Sequence, residues 1–308
     1  MTRFNQRVYG VIGVSSILAN WNADFTGRPK SLADGTVFGS DKALKYAIKH
    51  YWVNEGEKVL YIRSYQMSKG KLQTRELKEQ YEQIFNTELK KKESSDEVLA
   101  NLFSAIDVEN FGATFAEEGQ NISLTGVVQI GQGTNRYEGS VTEIQDILSP
   151  FRNSNKEDNT QASLGKKIVS NEAHYIYPFS VNPQNYDEFI PMVDGFEGYS
   201  VEAYTKFKKA ALVGATALNT NSKSGASNSF AVFVAFKEGE NVYLPQLDGY
   251  IDFEKNGEKA IVDVSKLTEL IAPFQDQLES VEYYADPFKA EFTGNQNDVR
   301  NIYTSEFL

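Results

Sequence analysis

A chain of 308 residues with 41% hydrophobic and 24% charged residues can bury a full core as one large domain or two modest ones. Its net charge is −11, it has no cysteine, and His50 and His174 are its only histidines, which excludes disulfides, thiolate metal sites and a multi-histidine metal centre. No apolar run reaches membrane-spanning length and the start, MTRFNQRVYG, lacks an apolar signal core, so the expectation is a cytoplasmic protein with no membrane contact, no cofactor and no metal.

The acidity is uneven. Residues 1–92 hold 16 Lys and Arg against 9 Asp and Glu, whereas residues 237–308 hold 6 against 15. Phosphate affinity follows the local field and not the total, so the count leaves open both a solvated mixed surface and a basic binding face.

In chain order, RVYGVIGVSSIL (7–18) reads as a strand near a sheet centre. An irregular stretch follows, ANWNADFTGRPKSLADGTVFG (19–39), and then SDKALKYAIKHYW (40–52), a helix with Ser40 as N-cap. Lys42, Lys45 and Lys49 fall on one face of that helix. KVLYIRSYQM (58–67) is strand-like, 74–91 a charged amphipathic helix, and 94–103 a shorter helix. Residues 105–116 and 122–131 alternate as two strands. A polar excursion over 132–173 precedes the strand HYIYPFSV (174–181), the helix 200–215, the loop NTNSKSGASN (219–228) and the strand SFAVFVAF (229–236). The acidic end is expected to hold strands near 241–253, a helix near 265–278, a strand near 280–285 and a loosely held tail of twenty residues.

This order, β-α-(insertion)-β-β-(insertion)-β-α-(loop)-β, predicts an α+β fold: a single ferredoxin-like or RNA-recognition core with large insertions. Three polar segments gather at such a core: the opening stretch with Arg28 and Lys30, the turn after NFGATF, and the loop around Lys223. Their Asn, Ser, Thr, Gly and Lys residues supply the donors, small size and positive charge that contact with a phosphate–sugar backbone requires. GQGTNR (131–136) lacks a full phosphate-loop pattern, and neither histidine has a Ser or Asp at telling spacing. Asp24 and Asp34 read either as general base or metal ligand, or as loop carboxylates that accept turn hydrogen bonds.

The string ANWNADFTGRPK…GTVFGSDKALKYAIKHYW resembles the opening signature of the seventh family of CRISPR-associated proteins, the Cascade backbone subunits of the RAMP superfamily. IDVENFGATF resembles the family's D-V-R-L-F-G-A segment, LNTNSKSG its L-x-T-R-S-K-x-G loop, and TQASLGKKIVSNEAHYIYPFSVNP the returning arm of its thumb hairpin. The subgroup it matches best is type I-B. Asn20-Trp21-Asn22-Ala23-Asp24 stand in place of the Pro and Gly of the family's usual run, and Glu109, Asn110, Asn221 and Tyr46 depart from its usual Arg, Leu, Arg and basic residue.

The resemblance implies a non-enzymatic subunit that polymerises along CRISPR RNA in a helical filament, joins other Cascade subunits and supports target DNA pairing with the guide in antiviral defence. It implies a palm with helical fingers (53–104), a web loop, a thumb β-hairpin (134–173) and an acidic C-terminal region (237–308). By position it assigns RNA contact to Asn22, Arg28 and Lys30 of the web; to Ser40, Lys42, Lys45 and Lys49 of the palm helix; and to Phe111, Gly112 and Thr114. It assigns the same role to Phe151, Lys166 and Lys167 of the thumb and to Asn221 and Lys223. Phe151 reads either as a packing contact at the hairpin base or as a contact to a base or a neighbouring subunit. The alternative is a type III-like subunit that cuts RNA with Asp24 or Asp34.

Overall fold

The computed structural model describes residues 2–91, 94–148, 164–295 and 297–308. The chain opens with β1 (Val8–Ala19) and passes through a looped segment and the short β2 (Phe38–Gly39) into α1 (Asp41–Asn54). The spacing predicts a stripe of Ala43, Leu44, Ala47, Ile48 and Tyr51; α1 buries Leu44, Ala47, Ile48 and Trp52, with Ala43 and Tyr51 half-buried at its margin. The strand expected over 58–67 is not formed. Only Tyr65–Ser68 (β3) pairs, with Lys71–Thr74 (β4), in a separate hairpin. The cause is Asp107, whose carboxylate accepts the backbone N–H of Leu60 at 2.8 Å and of Tyr61 at 2.9 Å, donors that a neighbouring strand would otherwise satisfy.

α2 (Leu77–Phe85) stops short of the expected residue 91, where Asn86 turns left-handed at φ +52°. α3 (Ser95–Phe103) matches expectation. The next expected strand, 105–116, divides into α4 (Ile106–Phe111) and β5 (Gly112–Phe115), the latter paired with β6 (Ile122–Thr125). Gly112 makes the junction at φ +76°, and a Cβ there would lie 2.1 Å from the Leu124 carbonyl oxygen.

β7 (Val128–Ile130), β8 (Gly133–Asn135) and β9 (Thr142–Leu148) all pair along β10 (Leu164–Val181). α5 (Val201–Ala217) starts at Ser200, whose hydroxyl accepts the Ala203 N–H at 3.0 Å, and leads through a loop to β11 (Ala226–Phe236). The C-terminal region adds β12 (Asp252–Asn256), β13 (Lys259–Asp263), α6 (Ser265–Ile271), β14 (Leu278–Ala285), β15 (Ala290–Thr293) and β16 (Val299–Asn301).

The main sheet runs β16-β14-β11-β1-β10-β8-β2, with β7 and β9 also on β10, and β1 sits between β10 and β11 in antiparallel register. Its two faces are both covered. On one, Val8, Ile12 and Val14 meet Leu44 and Ile48 of α1 and Phe207 and Ala211 of α5. On the other, Tyr9, Val11, Phe230 and Val232 meet Val262, Leu267, Ile271 and Phe292 of the C-terminal region. That double cover explains why β11 is buried along its whole length.

The expected loose tail is therefore a correction. β16 pairs in parallel with β14, Ile302 is buried, and the Leu308 N–H donates to the Val299 carbonyl at 3.0 Å. Among the described residues both sheet faces where β1, β10 and β11 pair are covered, which leaves strand ends, loops and the β9–β10 hairpin as the exposed features of the sheet.

Candidate nucleic-acid interface

The web segment is two small loops in series. The first is pinched by the Ala23–Pro29 bridge and the second by the Ser31–Val37 bridge. Each is closed by an aspartate. Asp24 Oδ1 accepts from Thr26 N at 2.7 Å, Thr26 Oγ1 at 2.8 Å and Arg28 N at 3.0 Å, and Asp34 Oδ1 accepts from Thr36 N at 2.9 Å. The Thr26 and Thr36 bonds hold both carboxyls below the usual carboxylate range. Arg28 is exposed on this frame, while Lys30 is half-buried and its backbone N–H donates to the Asn22 carbonyl at 2.9 Å.

Asn22 fastens the web to the start of α1, its Oδ1 accepting the Ser40 N–H at 2.8 Å. Ser40 is buried at the N-cap and its hydroxyl makes no cap bond. Behind it Trp21 Nε1 donates to the Tyr177 hydroxyl at 2.5 Å, and Gly39 leaves room for that pair, since a Cβ there would lie 1.9 Å from the hydroxyl oxygen.

The loop after α5 closes on the same place. Lys223 Nζ donates to the Asn20 carbonyl at 2.6 Å and lies 6.0 Å from the Trp21 ring. Lys223 forms no ion pair among the described residues, and burial pushes its pKa down to about 8. Asn221, in the same loop, is exposed.

The hairpin of β9 and β10 rises from this end of the sheet. Lys166 is exposed opposite Asp146, and Lys167 is half-buried opposite Gln145. β9 is exposed over its full length. Phe151 lies outside the described residues.

A second group of assigned residues sits elsewhere, where α1 meets α4. Lys49 is 3.1 Å from Asp107, a fully buried carboxylate, and also donates to the Tyr61 carbonyl. Lys45 pairs with Asp41 at 3.3 Å and lies 5.3 Å from the Phe111 ring. Phe111 packs on Trp52 and Phe207, with centroids at 5.5 Å and 6.4 Å, and Gly112 is buried behind it. Thr114 is exposed, and its carbonyl accepts the Tyr61 hydroxyl at 2.7 Å. Only Lys42 of the three helix lysines is open to solvent.

The structure thus brings together Asn22, Arg28, Lys30, Ser40, Asn221, Lys223 and the hairpin lysines, and sets Lys45, Lys49, Phe111 and Gly112 in a separate packed cluster. Sequence reasoning passed over Asn20, Trp21, Phe25 and Asp107. Phe25 is fully exposed at the tip of the first web loop, and an aromatic between Asp24 and Thr26 is its only sequence signal. Of the histidines, His174 is buried with Nε2 2.7 Å from Glu172, and burial holds its pKa down; His50 lies beside Tyr46 on α1. No group of three His, Asp or Glu able to hold a metal occurs among the described residues, and no helix among them is long and apolar enough to cross a membrane.

The described residues form an α+β core with an antiparallel centre, both of its faces covered, and a hairpin and two polar loops at one strand end. The particular assignment comes from comparison. The family model for CRISPR-associated protein Cas7 matches residues 6–271, and the chain belongs to that family. Among solved structures, a chain of a "CRISPR RNA-guided surveillance complex, pre-nicking" is similar in fold, with a TM-score of 0.55 at 12% identity over 96% of each chain. A chain of a "CRISPR RNA-guided surveillance complex" gives a TM-score of 0.45 at 13% identity over 91% of each. Comparison with curated proteins found no match.

Proposed function

We propose that this chain is a non-catalytic backbone subunit of a type I Cascade complex, of the I-B subgroup, that holds CRISPR RNA in the cytoplasm. Copies stack along the guide in a helical filament with other Cascade subunits, and target DNA is read by pairing with the guide. The observation that carries this reading is the convergence, in a member of the Cas7 family, of the web loop, the Ser40 end of α1, the Lys223 loop and the β9–β10 hairpin at one end of β1.

The reading of the core as an RNA-recognition-type palm is supported by the strand neighbours β11-β1-β10-β8, with α1 following β1 and α5 following β10. Modules of that type stack bases on an open sheet. Here the C-terminal region covers the second face, so the guide runs over loops and hairpin, and its backbone, not its base edges, is what the protein meets.

The test is the purified protein itself. It should retain nucleic acid, seen as a raised 260/280 nm absorbance ratio, and bind unrelated RNA sequences with affinities within about threefold of one another, all falling with salt. A protein that carries no RNA and binds none at low salt would sink the proposal.

A further inference from the structure

Three segments assigned above to guide contact meet at Asn20, a residue to which neither the sequence nor the family resemblance assigns a role. Its side-chain Nδ2 donates to the Gly27 carbonyl of the web at 2.9 Å and to the Ile168 carbonyl of β10 at 3.1 Å. Its backbone N–H donates to the Ser222 carbonyl at 2.9 Å, and its own carbonyl accepts Lys223 Nζ. The residue is only 4% exposed.

The chain reaches this point under strain. Leu18, two residues earlier, is exposed and left-handed at φ +49°, a conformation that a branched side chain adopts at a cost. The turn is held by the Ile17 N–H on the Gly225 carbonyl at 3.0 Å, by the Ser16 hydroxyl on the Ala19 carbonyl at 3.3 Å, and by the donor side of the Asn20 amide, which alone ties it to both the web and β10. The Asn20 Oδ1 is buried without a partner, and the two carbonyls facing Nδ2 forbid the flipped orientation, which would set oxygen against oxygen.

Resting on the function proposed above, we propose that Asn20 is a positioning residue that couples the hairpin to the web and the Lys223 loop, so that RNA held by the loops fixes the angle of the hairpin. Ile168 lies between the hairpin arm that carries Lys166 and Lys167 and the stretch of β10 paired with β1. A bond at that carbonyl acts where the hairpin leaves the sheet.

The chain has no cysteine, so spin labels can be placed at introduced positions without background. Phe25→Cys on the web and Gln145→Cys on β9, both exposed sites, report the web–hairpin distance in the free protein. Tyr46→Cys and Thr205→Cys, on α1 and α5, serve as a control pair across the packed helices. The native protein should give one narrow web–hairpin distribution. Asn20→Asp, which keeps the shape but loses both donors, and Asn20→Ala should each broaden it while the control distance stays fixed. A web–hairpin distribution as narrow as native in both variants overturns the proposal, whatever the change in melting temperature.

A second arm adds single-stranded RNA. Lys166→Ala should weaken binding roughly threefold in the native background and leave it unchanged with Asn20→Ala, because the hairpin is already misplaced. Equal losses in the two backgrounds overturn the coupling. The distance arm contains no RNA, so a failure of RNA binding would sink the function proposed above and still leave the placement of the hairpin decided.

Discussion

The lysines of α1 share one helix face and end in two different settings. Lys42 stands open to solvent beside the web, where Asn22 grips the helix start. Lys49, about two turns on, is 14% exposed and closed in by Asp107, Tyr61 and Phe111. Spacing decides which residues share a face. A segment far along the chain decides whether that face meets water, and here α4 covers its far half with a buried carboxylate.

The largest effect should come from breaking the covered half. Lys49→Met leaves Asp107 buried beside two N–H donors but without its cation, and should lower the unfolding free energy by about 3 kcal/mol. Denaturant titration measures this. A loss below about 1 kcal/mol would mean that the pair behaves as a surface contact, and would return Lys49 to the candidates for phosphate.

The same carboxylate explains where the sequence was hard to read. β1, α1, α5 and β11 were legible because burial on one or both faces writes itself into local spacing. Residues 58–67 and 105–116 were not, because their shape depends on Asp107 reaching two N–H groups nearly fifty residues away. The C-terminal layer was illegible as a layer, since its strands are short and pair partly in parallel across intervening elements. For the site, loop composition pointed to the web and Lys223. Asn20 was missed because its importance lies wholly in long-range bonds. The family departure at Glu109 also has a local meaning: its carboxylate accepts the Ser200 N–H at 3.0 Å, and burial raises its pKa.

Lys223 lies between the two lysine settings, half-buried and with no acid paired to it among the described residues, and should give the next largest effect. Burial depresses its folded pKa to about 8, so the folded chain holds fewer protons than the unfolded one between that value and the ordinary lysine value of 10.5. Stability contributed by this group therefore rises with pH across that window. Phosphate attraction needs the charged form and moves the other way, so RNA affinity should fall by up to about tenfold per pH unit above 8. Lys223→Arg keeps its charge and should flatten the profile between pH 7 and 9.5. A native profile already flat there would place this ammonium out of reach of RNA.

Lys42→Ala tests the open half, with a smaller effect. Stability should change by no more than about 0.5 kcal/mol, since nothing buried is uncovered. RNA affinity should fall alike for every sequence, and the slope of log affinity against log salt should shrink by about 0.7. An unchanged slope would show that exposure on the lysine face does not mean contact.

The smallest effect is expected at Asp24, and it separates holding RNA from cutting it. A general base at neutral pH needs a carboxylate with a raised pKa and a free oxygen aimed at its target. Asp24 Oδ1 is taken up by Thr26 and Arg28, and these bonds hold its pKa low. Asn keeps an oxygen acceptor in the same place, so Asp24→Asn should preserve the loop and leave RNA affinity unchanged within about twofold. Neither the native assembly nor the variant should cut complementary RNA when magnesium is added. Cleavage by the native assembly that disappears in the variant would make Asp24 a catalytic residue and replace the proposed role with that of an RNA-cleaving subunit.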